Sequence, residues 1–456
     1  MLVFAVTFMS IAFWSATALL IYLRTRDTLH VGIIVIAFFL ISYPLKLLAT
    51  YGGFATMNSS IMPADAQLLA LGLANLSLLA AMLPLLVLAG RPAVQEPRIS
   101  VPAIVWAGVS VLAVVVTIDI QSLLLRLTPG SYDDYLQGLS QSRLSGGLKA
   151  ILNIIVQAAL AGLTLTLIVR WRALSRVFRI GAVALVAFYA AAVLFSTGSK
   201  YAALFPIATA VLLWNVARVG QGKGFSLWRT MGIGVTGLVL VGIFGLLRGL
   251  GNIEEAAETG HLYQIAVQFF NAFDAMDNLV FIIMRIDNFW FGDLNFRPTL
   301  DYLVTGFIPR QIWPDKPLEM GNIYIMKQYL WERYNGPFGE VVSPSMPGEM
   351  LLSGGIFFLV SWSAICGGVF GALYRWAHGP NADIWAVIIY AYAALNIFNY
   401  MRSGTGALGV IFLFAAVTLL MKIGLIGAGK VAQRLAVKYM LAPAHNPDTR
   451  RADRSR

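Results

Sequence analysis

The sequence predicts an all-α, polytopic integral membrane protein with about 11 to 12 transmembrane helices. Only 12% of its 456 residues are charged and 58% are hydrophobic, whereas a soluble domain carries about 25% charged residues. So little polar surface excludes a soluble enzyme. The formal charge of +11 does not indicate a nucleic-acid partner, because excess Lys and Arg in a membrane protein mark its cytoplasmic loops.

Eleven apolar runs are the predicted transmembrane helices, and most approach the roughly 20 residues that cross a bilayer core. The first run has no basic segment before it and is too long for the core of a signal peptide, so we expect it to stay as a membrane helix. The runs cover residues 2–22, 31–48, 67–89, 101–118, 150–169, 180–197, 202–217, 231–249, 351–374, 384–399 and 407–425.

The runs divide the chain into four parts. Residues 1–249 hold eight helices, residues 351–425 hold three, and residues 426–456 form a basic cytoplasmic tail. Residues 250–350 form a large non-cytoplasmic loop. Its apolar stretches LYQIAVQFFNAF and NLVFIIMRI predict helices that are amphipathic or re-entrant.

The basic residues predict the orientation of the chain. One set of alternate loops, together with the C-terminal tail, holds 20 of the 33 Lys and Arg residues but only 5 of the 22 acids. The positive-inside rule assigns these segments to the cytoplasm. We therefore expect the N-terminus outside and the C-terminus in the cytoplasm, as an odd number of spans also requires.

A proline-rich stretch, Phe307–Pro317 (FIPRQIWPDKP), is the most informative part of the long loop. Its three prolines exclude a regular helix and stiffen the backbone that carries Arg310 and Lys316. A planar guanidinium beside a compact ammonium group suits a diphosphate. Asp315 is placed to orient these cations, and Trp313 to stack on a sugar ring. The alternative interpretation is an interfacial anchor whose basic side chains reach the lipid headgroups.

Three more basic residues lie at the non-cytoplasmic ends of predicted helices: Lys200 in STGSKY, Arg248 in GIFGLLRGLGN and Arg402 in NYMRSG. A charge at the bilayer centre costs at least about 2.5 kcal/mol, so such residues normally face a cavity or a partner. Each one alone is explained by a side chain that reaches the headgroups. Together they indicate an anionic ligand at the outer leaflet, and lipid-linked diphosphates are the obvious class.

Glu349, in the segment SPSMPGEM before the ninth predicted helix, is the candidate general base for a sugar hydroxyl. The alternative is an acid placed at a helix N-terminus by the helix dipole. Asp274 and Asp277 are expected to be solvated or paired. With one cysteine, Cys366, only four histidines and no acid pair at metal-binding spacing, we expect chemistry without a metal or another cofactor.

These motifs resemble the Wzy-type oligosaccharide repeat-unit polymerases of O-antigen and exopolysaccharide synthesis. That family is similar in having a P-R-x-x-W-P-D-K-P-like stretch in a large periplasmic loop, followed by Pro-Gly-Glu ahead of a helix with small residues. Here FIPRQIWPDKP and SPSMPGEMLLSGG match these two elements. The turn STGSKY is similar to the family's T-G-S-R/K turn, with Lys200 in the basic position. The motif matches cover only about residues 196–201 and 305–356.

The resemblance implies a GT-C-like glycosyltransferase with a polyprenyl-diphosphate-linked donor, in the bacterial inner membrane. The growing glycan would move from undecaprenyl diphosphate to the non-reducing end of a lipid-linked repeat unit, at the periplasmic face. The expected catalytic residues are Glu349, Arg310 and Asp315; the expected diphosphate contacts are Arg310, Lys316, Lys200, Arg248 and Arg402; and the expected sugar contacts are Trp313, Trp290 and Tyr324.

Two other functions stay open at this level. An O-antigen ligase has a similar architecture and donor but transfers the glycan to another lipid. A lipid-linked oligosaccharide flippase belongs to a different class and should carry charges along a central path, whereas here they gather at helix ends. Besides the lipid-linked substrates and the bilayer, a chain-length regulator protein is a candidate partner.

Overall fold

The computed structural model confirms the predicted all-α fold. Every element assigned to the described residues is helical, and one isolated parallel bridge joins Arg98 to Asp383. The described residues are 1–53, 62–93, 97–117, 146–197, 200–248, 273–296 and 344–440, with single positions at 267, 269, 270, 299, 313, 325 and 329.

Fourteen α-helices are named over these described residues. A π-helical turn, Ile41–Leu45, connects the second to the third. The helices are α1 Leu2–Thr25, α2 Val31–Leu40, α3 Lys46–Tyr51, α4 Ala64–Ala89, α5 Ala103–Thr117, α6 Gly146–Arg170, α7 Arg176–Thr197, α8 Lys200–Val219, α9 Leu227–Arg248, α10 Ala275–Ile283, α11 Met346–His378, α12 Ile384–Leu395, α13 Ile397–Ser403 and α14 Thr405–Met440.

Each of the eleven predicted membrane runs falls on a helical segment. Over the part of the chain that the structure describes, eight of these segments are long and apolar enough to cross a bilayer. Two others, Ala103–Thr117 and Phe205–Val219, are shorter apolar helices. The remaining run lies in α9, which is 22 residues long. The protein is therefore a polytopic membrane protein, as its hydropathy predicts.

Helices α4 and α11 form the most extensive helix pair in the bundle. Gly367 and Gly371 of α11, one turn apart, lie directly against the backbone of α4. A Cβ atom at Gly371 would lie 2.6 Å from the carbonyl oxygen of Leu85, and one at Gly367 would overlap the carbonyl of Ala81. Small residues let two membrane helices approach this closely, and the approach stabilises them by van der Waals packing.

Helix α11 is broken about 12 Å from its start, at Gly354 and Gly355. Gly355 has φ 69°, a left-handed conformation that favours glycine. Residues 286–296, here called the strap, lie across this break. A Cβ atom at Gly355 would overlap the carbonyl group of Trp290 in the strap, so the glycine also allows the strap to approach.

The strap supplies the hydrogen bonds that the broken helix lacks. The N–H groups of Asp293 and Leu294 donate to the carbonyl oxygen of Leu352, at 2.9 and 3.0 Å. In return, the N–H of Ile356 donates to the carbonyl oxygen of Phe289 at 3.2 Å. Irregular backbone at membrane depth persists only where protein or a cavity satisfies it. The strap therefore stabilises α11 as two segments, of which the first is Met346–Ser353.

Residues 250–350 also contribute α10, which packs against both α4 and α11. Nearly all of its residues are buried, including Leu279, Val280 and Asp277. This helix is thus part of the bundle, and Ile282 near its C-terminal end lies against Gly348 at the start of α11.

Candidate active site at the start of helix α11

The start of α11 is held by a cap that its sequence specifies. Ser345 is the N-cap residue, and its Oγ accepts the backbone N–H of Gly348 at 3.2 Å. Pro347 fits the first turn because its missing N–H would have no helical partner there. The backbone N–H of Ser345 donates to the carbonyl oxygen of Arg402 at 3.0 Å. The cap therefore ties the start of α11 to the end of α13.

Glu349 lies in the first turn of α11 and is fully buried. Its Oε2 accepts the backbone N–H of Thr405 at 2.9 Å. Its Oε1 accepts the hydroxyl groups of Thr405 and of Thr299, the latter at 3.2 Å. Since Thr405 is the first residue of α14, the carboxylate occupies the positive end of that helix dipole.

Gly404 makes this approach possible. Its φ is 64°, and a Cβ atom there would overlap Oε2 of Glu349. A side chain at position 404 would therefore displace the carboxylate from the N-terminus of α14. The segment NYMRSGT thus contributes a cation, a glycine and a helix start to the same place.

Arg402 and Asp274 form an ion pair beside this turn, with 3.0 Å between Nε and Oδ1. The side chain of Arg402 is 31% exposed, whereas that of Asp274 is 11% exposed. The pair joins the end of α13 to the residue before α10. The cation is therefore oriented by a carboxylate while part of it stays accessible.

A second ion pair lies one turn further along α10. Nζ of Lys46 is 3.6 Å from Oδ2 of Asp277 and donates to the carbonyl oxygen of Phe270 at 2.9 Å. Lys46 is 1% exposed. The π-helical turn that contains Pro44 directly precedes it, and π-helical turns occur often at functional sites. We call Glu349, Arg402, Lys46 and the two aspartates the charged corner.

Lys46 is a residue that the sequence reasoning missed. The signal was present, because a lysine inside an apolar run is rare and normally has a buried partner. Asp274 and Asp277, expected to be solvated or paired, are both paired in the structure.

Of the predicted site residues, the structure brings Glu349 and Arg402 together. The predicted sugar contact Trp290 lies in the strap, 57% exposed, with its ring centre 6.0 Å from that of Phe357. Trp313 is 36% exposed. Lys200 begins α8 and Arg248 ends α9, but their side chains are outside the described part. Four predicted residues lie outside the described residues altogether: Arg310, Asp315, Lys316 and Tyr324.

The geometry separates two chemical roles. Arg402 presents a partly exposed, oriented guanidinium group, which suits an anionic ligand. Glu349 has no exposed surface and already accepts three hydrogen bonds. In this arrangement it fixes the turn that carries Arg402, and it meets a substrate hydroxyl only if the corner opens.

The fold and site together define a class, a polytopic membrane protein whose charged side chains meet at the start of a broken helix. The family model described as WzyE protein, O-antigen assembly polymerase, matches residues 89–435, and the chain belongs to this family. It is accordingly a multi-pass inner-membrane glycosyltransferase that polymerises O-antigen. The matched range contains Asp274, Glu349 and Arg402, while Lys46 precedes it. No solved structure matches the chain.

Proposed function

We propose that the protein transfers a growing glycan from undecaprenyl diphosphate to the non-reducing end of an incoming lipid-linked repeat unit. The reaction takes place at the periplasmic face, in a GT-C-like enzyme whose N-terminus is periplasmic and whose C-terminus is cytoplasmic. The family membership supports polymerisation over ligation or flipping. The observation that carries the site assignment is the convergence of Glu349 and Arg402 at the start of α11.

Arg402 is the proposed contact to the diphosphate leaving group. Negative charge develops on that group as the glycosidic bond breaks, and a fixed cation stabilises it most effectively when it needs no reorganisation. The ion pair with Asp274 fixes the plane of the guanidinium before substrate binds. The other proposed diphosphate contacts are Arg310, Lys316, Lys200 and Arg248.

Glu349 is the proposed general base for the acceptor hydroxyl, with Asp315 as the second choice. A base must reach the proton that it removes, so this role requires the bonds from Thr405 and Thr299 to loosen when substrate binds. Trp290, Trp313 and Tyr324 are the proposed sugar contacts. The exposed rings of Trp290 and Trp313 are available for stacking on a sugar.

The proposed chemistry uses no metal and no other cofactor. Among the described residues, His, Cys, Asp and Glu side chains do not form a group of three or more that could hold a metal ion. The cations of the site take the role that a metal has in other transferases, the neutralisation of the diphosphate. A chain-length regulator protein is a proposed partner.

The test is a reconstitution of the purified protein with lipid-linked repeat units. A polymerase produces a ladder of lipid-linked products and releases one undecaprenyl diphosphate for each added unit. Transfer only to a different lipid indicates a ligase, and loss of accessible repeat units from one leaflet without elongation indicates a flippase. An unchanged ladder in excess EDTA supports the metal-free reaction, and its loss, restored by added Mg²⁺, contradicts it.

A further inference from the structure

A small cavity lies between α6, α7 and α8, away from the charged corner. It is at the middle of the three helices, each of which crosses or enters the apolar part of the bundle. Its walls include Gln157 and Thr164 of α6, Tyr189 of α7 and Thr209 of α8. The first two are seven residues apart and therefore share one helix face.

Thr209 lines the cavity from α8. It is 7% exposed, and its Oγ1 has no hydrogen-bond partner among the described residues. Buried threonines in helices normally donate to the carbonyl four residues earlier. Thr166 does so in α6, with Gly162 at 2.7 Å, and Thr117 does so in α5, with Ala113 at 2.7 Å. The hydroxyl of Thr209 instead borders the cavity.

The lining of the cavity defines the chemistry of what fills it. An unpaired hydroxyl in apolar surroundings is unfavourable, so such groups normally have a partner from protein or bound solvent. Gln157, Thr164, Tyr189 and Thr209 offer both donors and acceptors. Among the described residues, the lining contains no Asp, Glu, Lys or Arg, so those residues supply no counter-charge for an ion at this depth. The complementary ligand is neutral and hydroxyl-bearing.

We propose that this cavity binds a neutral hydroxyl group that pairs with Thr209, from either water or a lipid. The space in it admits about one water-sized group, which is either a water molecule or the hydroxyl group of a lipid. The site is independent of the polymerase chemistry, since none of the charged-corner residues lines it.

The substitution Thr209→Val tests the proposal by whether it lowers Tm. Valine has nearly the same shape and the same β-branching, so the change replaces the hydroxyl group with a methyl group. If a ligand pairs with that hydroxyl, the full-length protein in lipid nanodiscs loses a bond and Tm falls by about 1–3 °C. Thr166→Val replaces a hydroxyl that is hydrogen-bonded within the chain, and its fall in Tm shows the cost of losing one such bond. An unchanged or raised Tm in Thr209→Val overturns the proposal, because removal of an unpaired hydroxyl is neutral or stabilising.

If the Tm of Thr209→Val is lower, radiolytic hydroxyl-radical labelling distinguishes water from lipid as the source of the bound hydroxyl group. Radicals form from water beside the labelled ring, so bound water predicts oxidation of Tyr189 that decreases in Thr209→Val. Tyr374, which is fully buried and donates its hydroxyl to Asp27, is the matched control and stays unlabelled. An unlabelled Tyr189, with a diacylglycerol from the nanodisc retained in native mass spectra and lost from the variant, assigns the ligand to lipid. If Tyr189 is unlabelled and no lipid is retained, the cavity is empty and the proposal fails.

Discussion

The carboxylate of Glu349 accepts the backbone N–H of Thr405 at 2.9 Å, and this bond joins the first turn of α11 to the first turn of α14. Two helix N-termini thus meet at one buried acid. The meeting point sets the position of Arg402, whose carbonyl group is bound by the cap of α11. The proposed diphosphate contact and the proposed base therefore depend on the same hydrogen bonds.

Replacing Glu349 with Gln distinguishes a base from a purely positioning residue. The amide oxygen still accepts the N–H of Thr405, so we expect the protein to insert and to keep its Tm within about 2 °C. If Glu349 is the base, polymerisation falls at least about 100-fold, and glycan length on gels records the loss. Wild-type chain length in this variant would remove Glu349 from the chemistry. A variant with reduced activity but an unaltered pH–rate profile would indicate positioning only.

Gly404→Ala is expected to destabilise the protein by at least about 1 kcal/mol. The new Cβ atom overlaps the carboxylate of Glu349, and φ at 64° is unfavourable for alanine. The control is Gly424→Ala within α14, the helix that follows Gly404, where a Cβ atom meets nothing within 4 Å. Thermal unfolding in detergent should show a lower Tm for the first variant and an equal or higher Tm for the second. Equal Tm values for both variants would contradict the described turn.

Arg402→Lys should reduce polymerisation by at least about 10-fold, because an ammonium group lacks the planar fork that pairs with Asp274 and diphosphate together. Arg402→Ala should reduce the polymerisation rate about 100-fold or more, which is comparable to the effect of removing one hydrogen-bond donor to the transition state. The measurement is product formed per minute from lipid-linked repeat units. Arg375→Lys, at the opposite end of α11, should keep wild-type activity. An active Arg402→Lys enzyme would argue against a bidentate contact.

Lys46→Met should destabilise the protein by about 3–5 kcal/mol, since it leaves the carboxylate of Asp277 buried opposite an apolar side chain. The double variant with Asp277→Leu should recover most of that loss, because replacing both charges with apolar groups removes the unpaired charge. A double-mutant cycle in chemical unfolding measures the coupling. Additive effects of the two substitutions would show that the pair does not interact.

The sequence was sufficient to predict the helical architecture because hydropathy is a property of each local segment. Each run of about 20 apolar residues specifies a membrane helix whatever its neighbours are. The FIPRQIWPDKP and SPSMPGEM segments also led to the correct family. In contrast, neither the break in α11 nor the strap across it was predicted. In the sequence the Gly354–Gly355 pair was only the end of the SPSMPGEMLLSGG motif, and its structural role depends on a segment some sixty residues earlier in the chain.

The sequence by itself determined that this is an all-helical membrane protein of the polymerase family, and it identified Glu349 and Arg402 as candidates. Only the tertiary structure decided that these two residues share a corner, that Lys46 and two aspartates complete it, and that Glu349 is buried. The physical reason is the distance along the chain over which each effect acts. Burial of apolar segments is a property of each run, whereas the pairing of charges depends on which helix ends the packed bundle brings together.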